Sequence, residues 1–346
     1  MIKYLDYMID EIVGLAKIPS PTGYADRAID YITEKLKALN IAFTITKKGA
    51  LIASIEGENN DKERTISAHV DTLGAMVKEI KGSGRLSFDT LGGYMMNAVE
   101  GETCVVETVD GKTYTGTIYT TMPSSHIHGG DAKKLERKLE NMEIILDERV
   151  NSREDTLKLG IEVGDFVFLD PRTKVTESGF IKSRHLDDKA SAGILLGIIK
   201  YMAEEHIVPP YRTNFFFSTY EEVGHGASAS IPQNTFEFLA VDMGAPGMGQ
   251  NSSEFAVCIC AKDSSGPYDF SFRKRLVKLC RDNSIDYRID MYPYYGSDAS
   301  SALRAGYDFK TGLIGTGVFA SHSYERTHRD GVLNTAKLIA EYIKSR

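Results

Sequence analysis

Apolar residues at Ile2, Leu5, Met8, Ile9, Ile12, Val13 and Ala16 recur at helical spacing, and Pro19 and Pro21 end the run. A second helix is expected from about Tyr24 to Leu39. Residues 41–57 then read as two alternating strands around Lys48-Gly49, a hairpin. The apolar stretch RTISAHVD at 64–71 is a strand that runs into His69 and Asp71. From Leu73 to about Gly179 the texture changes to short β runs with turn signals, among them Asp110-Gly111, which favours a tight hairpin turn. Residues 121–134 within it are polar and glycine-rich, the composition of a mobile loop. After Gly179 the pattern alternates again: a helix at ILLGIIKYMAEEH, strands at NFFFSTY, FEFLAVDMG and EFAVCICAK, a helix over 270–282, strands at YRIDMYPY and FKTGLIGTGV, and a last helix from about Asp330 to Lys344. Such alternation predicts an α/β fold, a sheet sandwiched by helices, with a small β domain inserted after the strand that ends at Asp71.

A chain of 346 residues exceeds the size of one ordinary core, so two domains are expected: 1–72 with 180–346, and 73–179. The apolar fraction of 42% and charged fraction of 26% are those of a globular protein, which excludes wholesale disorder. A net charge of −7, with no basic run interleaved with aromatics, excludes a nucleic-acid footprint. The amino-terminal stretch is interrupted by acids and lysine, unlike a leader, and no run reaches the roughly 18 apolar residues that span a bilayer. A cytoplasmic protein without a membrane partner is expected. Cys104, Cys258, Cys260 and Cys280 show no zinc-knuckle or CxxC spacing and read as buried thiols.

Chemistry enters where the apolar runs end. His69, Asp187, Glu222, Asp242 and His322 are scattered over most of the chain, each beside a predicted strand end. A parallel sheet delivers such residues to one rim, where ligand crevices of open α/β folds lie. His69 and Asp71 are two apart, so in a strand they share a face, and a carboxylate there can accept the second imidazole proton and fix the tautomer. Asp187-Asp188 precedes a helix, where an N-cap is the competing reading. Glu221-Glu222 ends an aromatic strand, a costly place for two acids unless they are paired, hydrated or metal-bound. Asp242 enters a Gly-Pro-rich loop and could be a turn cap. His225 lies in the turn after Glu222 and could be drawn toward the site or stay a turn residue, while His328 competes with His322 but falls nearer the last helix. Jointly, His, Asp and Glu without cysteine are the ligand set of zinc, cobalt or manganese.

The segments HVDTLGAMVKEI, HLDDKASAG, STYEEVGHGAS, AVDMG and SHSYERTH resemble, in order and spacing, the motifs of the dinuclear aminopeptidases of metallopeptidase family 42. The resemblance spans nearly the whole chain. It implies a dinuclear zinc aminopeptidase-like catalytic domain with the insertion as an apical or dimerisation domain, and two divalent ions per subunit, zinc or cobalt with manganese as a third option. Residue by residue it makes Asp187 the bridging ligand, His69 and Asp242 the other ligands of one ion, Glu222 and His322 those of the second, Asp71 the group orienting His69, and Glu221 the general base. Ser297 and Asp298, in YYGSDASS, match a segment near the family's substrate pocket, although a helix cap is an equal reading of Asp298.

Three departures leave the ligands intact and put substrate preference in doubt: Lys189 stands where the family has arginine, Tyr220 where glutamine is common, and Gly224-His225-Gly226 where a bulkier turn is usual. Peptide substrates and a homo-oligomer, from dimer to tetrahedral dodecamer, are the implied partners. A carboxypeptidase or deacylase on the same core, and a non-catalytic metal-binding assembly protein, are the alternatives. A glycosidase is disfavoured because it needs two carboxylates flanking a sugar bond rather than a metal pair.

Overall fold

The computed structural model describes residues 1–346 and divides into two compact units, Met1–Thr72 with Arg172–Arg346, and Leu73–Pro171. The first unit is built on a nine-stranded mixed sheet. Its strands run in the order Phe43–Ile45, Leu51–Ile55, Tyr211–Ser218, Asn59–His69, Thr235–Val241, Lys310–Thr316 and Val257–Asp263, with Gly266–Pro267 and Tyr287–Met291 both paired to the last. The four from Tyr211–Ser218 to Lys310–Thr316 are mutually parallel, and the strands flanking them pair antiparallel.

Both faces of this sheet are covered, which explains why its strands read as continuous apolar runs. In the strand Tyr211–Ser218, Phe215 and Phe217 join one core cluster while Phe216 joins another, as the two-residue alternation of a strand requires. The first cluster takes in the helices Leu5–Ala16, Asp26–Ala38, Leu186–Glu204 and Arg329–Lys344; the second takes in Ala299 and Ala302 of the helix Asp298–Arg304. The helix Leu186–Glu204 is buried on nearly every side and so lacks an amphipathic stripe. Gly193 lets the first helix approach it: a Cβ there would stand 2.8 Å from the main-chain nitrogen of Ile12.

The second unit is a closed six-stranded barrel, in order Gly74–Ile80, Leu86–Leu91, Met142–Leu146, Thr113–Thr120, Thr103–Glu107 and Phe166–Leu169. Asp110-Gly111 lies in a loop of residues 108–112 between two of them, with Gly111 at φ 78° and the Thr108 N–H bonded to the Lys112 carbonyl.

Two features differ from the expectation. The inserted compact unit ends at Pro171 rather than 179, because Lys174–Val175 pairs with Phe180–Ser183, which pairs in turn with Glu325–His328 in a small sheet of the first unit. Residues 121–134 are not an open loop. Ser125–Lys134 is helical with a break at Gly129 (φ 53°), and Arg137 holds its end by donating to the carbonyls of Ala132 and Leu135.

Candidate metal centre

The parallel strands end at one rim. Ser218 is in register with His69, and Val241 with Ile314, so the segments starting near 69, 219, 242 and 317 leave the sheet side by side. Asp187 comes to this rim from the start of the long helix, where Asp187 and Asp188 depart from helical geometry. The N-cap reading of Asp187 therefore gives way to a carboxylate turned to the rim.

His69, Asp187 and Asp242 are buried and offer ligand atoms that all lie within 4.8 Å of one another. The Asp187 carboxylate faces two ways. Its Oδ1 lies 3.2 Å from His69 Nε2, and its Oδ2 lies 3.4 Å from His322 Nε2 and accepts from the Ser321 hydroxyl at 2.9 Å. His322 Nε2 is in turn 3.5 Å from Glu222 Oε2. Two donors each about 2.0 to 2.1 Å from a tetrahedral zinc stand roughly 3.3 Å apart, which is the spacing of these pairs. The other Glu222 oxygen, Oε1, is buried and lacks a hydrogen-bond partner, an arrangement that a cation would relieve. The residues present thus fit divalent metal.

Asp71 and His69 show how the centre is oriented. His69 Nδ1 donates to the main-chain carbonyl of Asp71 at 2.9 Å, and the Asp71 carboxylate is farther, at 3.6 Å. A proton on Nδ1 leaves the Nε2 lone pair free for a metal. The Asp71 carboxylate instead accepts from the Thr22 hydroxyl at 2.6 Å and from the main-chain N–H groups of Glu221 at 3.1 Å and Glu222 at 3.3 Å. The acid expected to orient the histidine therefore also pins the turn that carries both glutamates. Glu221, 15% exposed, places Oε2 3.8 Å from His69 Nε2, and His322, 38% exposed, marks the side open to solvent.

Crowded acids shift one another. Burial, reinforced by Asp242 and Asp298, holds the Glu221 carboxyl well above its ordinary range, and burial with the Asp187 charge does the same to Glu222. Burial and Asp187 push Asp242 up to about 7. Burial opposes the charge on Asp187 too, but the two imidazoles outweigh it and hold this carboxyl low. Such a cluster favours either protons or cations over bare charge.

The residues expected to touch substrate, Ser297, Asp298 and His225, each have partners within this unit. Ser297 caps the helix Asp298–Arg304 through a reciprocal pair with Ser300. Asp298 is buried and uses both oxygens behind the turn that bears Glu221 and Glu222, accepting from the Ser218 hydroxyl with one and from the Ala227 N–H at 2.9 Å with the other. It clamps the two ends of the segment bearing Glu221 and Glu222. The His225 carbonyl accepts from Lys48 Nζ, and its ring stacks on Tyr220 at 5.1 Å, facing the hairpin. His328 caps the last helix, its Nδ1 accepting from the Asp330 N–H.

The M42 glutamyl aminopeptidase family model matches residues 49–338. The chain belongs to the M42 glutamyl aminopeptidase family. Among M42-like relatives, it is 53% identical over 334 residues, 96% of each chain, to a provisionally named aminopeptidase, YhfE, of Bacillus subtilis (strain 168). It is 23% identical over 239 residues, 68% of this chain and 66% of the other, to the glutamyl aminopeptidase of Lactococcus lactis subsp. cremoris (strain MG1363). The fold matches the crystal structure of the TET aminopeptidase from the marine sediment archaeon Thaumarchaeota archaeon SCGC AB-539-E09, with a TM-score of 0.87 at 20% identity over 98% of this chain and 96% of that one. It also matches PhTET1-12s, a dodecamer in its crystal, with a TM-score of 0.84 at 23% identity over 98% and 99%.

In this M42 chain the Lys189 departure is distant in effect from the ligands: its buried Nζ donates to the carbonyls of Leu15 at 3.0 Å and Ile18 at 3.1 Å, tying down the first helix. Four polar groups of the site escaped the sequence reading. Thr22 and Ser321 bond to Asp71 and Asp187, the Tyr295 hydroxyl donates to the Met243 carbonyl beside Asp242, and Glu325 bonds to three main-chain amides. The only sequence signal for the last was an acid within SHSYERTH.

Proposed function

We propose that this protein is a metal-dependent aminopeptidase that removes N-terminal residues from peptides. The observation that carries the reading is the Asp187 carboxylate, with one oxygen toward His69 and the other toward His322. One ion would be held by His69, Asp187 and Asp242, and a second by Asp187, Glu222 and His322; zinc, cobalt and manganese all suit these donors. When bound, such a pair supplies Lewis acidity at the scissile carbonyl and lowers the pKa of the attacking water.

The chain's own groups do the rest. Glu221, unligated and held at the rim by Asp71, takes the proton of the attacking water and returns it to the departing amine. His69 is kept in the Nδ1–H tautomer by the Asp71 carbonyl, and Asp298 fixes the ends of the glutamate-bearing turn. Restriction to N-termini rests on the aminopeptidase names of the relatives and requires the free α-amine to be read at the rim.

The dodecameric and shell-forming TET structures support a homo-oligomer, with the 73–171 barrel as an assembly domain. No helix is long and apolar enough to cross a membrane, and the four cysteines are free and buried, which suits the reducing cytoplasm. A panel of aminoacyl anilides tests the activity, run after chelation and readdition of zinc, cobalt or manganese, with N-acetylated counterparts as controls. Cleavage of free-amine substrates only, dependent on added metal, is expected; equal cleavage of blocked substrates would overturn the aminopeptidase reading.

A further inference from the structure

Glu325 is 2% exposed and stands three residues after His322, outside the ligand set. Its Oε2 accepts from the main-chain N–H groups of Leu186 at 2.6 Å and Asp187 at 3.2 Å, and its Oε1 accepts from the main-chain N–H of His322 at 3.1 Å. These amides belong to two segments far apart in sequence, one carrying Asp187 and the other His322. Asp187, at φ −79° and ψ 101°, is extended where a helix begins, and His322 sits at φ 64°, in the left-handed region. A non-glycine residue in such a conformation persists only when its surroundings impose it.

The chemistry of the holder matters. A carboxylate has two acceptor oxygens and no donor, so it can take amides on both sides at once. A glutamine has one acceptor, and its NH2 would face one of the two sets of N–H groups. The His322–Asp187 separation of 3.4 Å is thus bridged from behind by one side chain.

We propose that Glu325 is a positioning residue that sets Asp187 and His322 at the spacing needed to share a cation, so that the ion held by Asp187, Glu222 and His322 depends on it more than the ion held by His69 and Asp242. This rests on the two-ion reading above.

Calorimetric titration of the chelated full-length protein with cobalt or zinc tests it, comparing wild type with Glu325→Gln and with Glu325→Asp, whose shorter reach cannot span both segments. Removing such an outer partner typically weakens metal binding about 10- to 100-fold. The expected result for Glu325→Gln is a loss of that size in one binding event, the other changing by less than about threefold, with activity recovered as metal is raised. A wild type that takes one ion would sink the two-ion reading, while the variant-to-wild-type affinity ratio for that ion still judges Glu325. Unchanged affinities in the folded variants would overturn the proposal. So would failure of both variants to fold, by circular dichroism, since Glu325 would then hold the fold rather than the ligands.

Discussion

Replacing Asp71 by asparagine separates two jobs that one residue performs. The His69 imidazole bonds to the Asp71 carbonyl, which the substitution keeps, whereas the Glu221 and Glu222 amides bond to the carboxylate, which it changes. The Oδ1 atom takes Glu221 N–H, and Oδ2 takes Thr22 and Glu222. Asparagine offers a single acceptor, so an NH2 group faces a donor on one side. A hydrogen bond to a charged group contributes about 1.5 to 3 kcal/mol. If about 2 kcal/mol of that is expressed in the transition state through a displaced Glu221, kcat/KM falls roughly 30-fold. Metal content should stay near that of the wild type, because the tautomer of His69 is untouched and an amide oxygen turned to Thr22 and Glu222 still holds the Glu222 N–H, leaving the NH2 toward Glu221. Steady-state kinetics on an aminoacyl anilide, with metal content by mass spectrometry on the same samples, gives both numbers. Wild-type kcat/KM, or a loss of activity matched by an equal loss of metal, would refute the division of labour.

Other consequences are as direct. Glu221→Gln should retain metal yet lose about 10²- to 10⁴-fold in kcat, the usual worth of general acid–base catalysis, and near-normal turnover would remove the base assignment. In the chelated protein Asp242 titrates near 7, Glu221, Glu222 and His69 are also raised, and unfolded carboxyls titrate near 4, so between about pH 5 and 8 the folded chain binds more protons than the unfolded one. Its stability should therefore fall as pH rises, by up to about 1.4 kcal/mol per pH unit per proton, and a melting temperature that climbs from pH 6 to 8 would contradict the burial of these groups. Gly193→Val would drive a side chain into Ile12 across two packed helices, at a cost of about 1 to 3 kcal/mol, visible as a lowered urea midpoint; an unchanged midpoint would mean the helices part freely.

What the sequence discloses and what it hides follow from the range of each interaction. The candidate ligands stood out because a strand run ends abruptly on a charged residue, and parallel pairing then carries His69, Glu222, Asp242 and His322 to one rim. Glu325 was invisible because its partners are main-chain amides, which carry no residue identity and are brought near only by tertiary folding. Asp298 and Ser297 were ambiguous for a related reason: an acid or serine at a helix start has the same composition whether it meets a substrate, caps the helix, or clamps a neighbouring turn. The end of the insertion was misplaced by a strand of two residues, Lys174–Val175, too short for any periodicity to register. The helix Ser125–Lys134 was hidden by its paired glycines, with Arg137 supplying the cap from three residues beyond.

Activity toward free amino termini should require two metal ions gathered by Asp187. Stepwise addition of cobalt or zinc to the chelated protein, with bound metal and anilide hydrolysis read on the same samples, measures this. Activity that needs metal, reaches its plateau at two bound ions per chain and is absent for N-acetylated substrate is the predicted result; full activity in the chelated protein, or a plateau without a second bound ion, would contradict it.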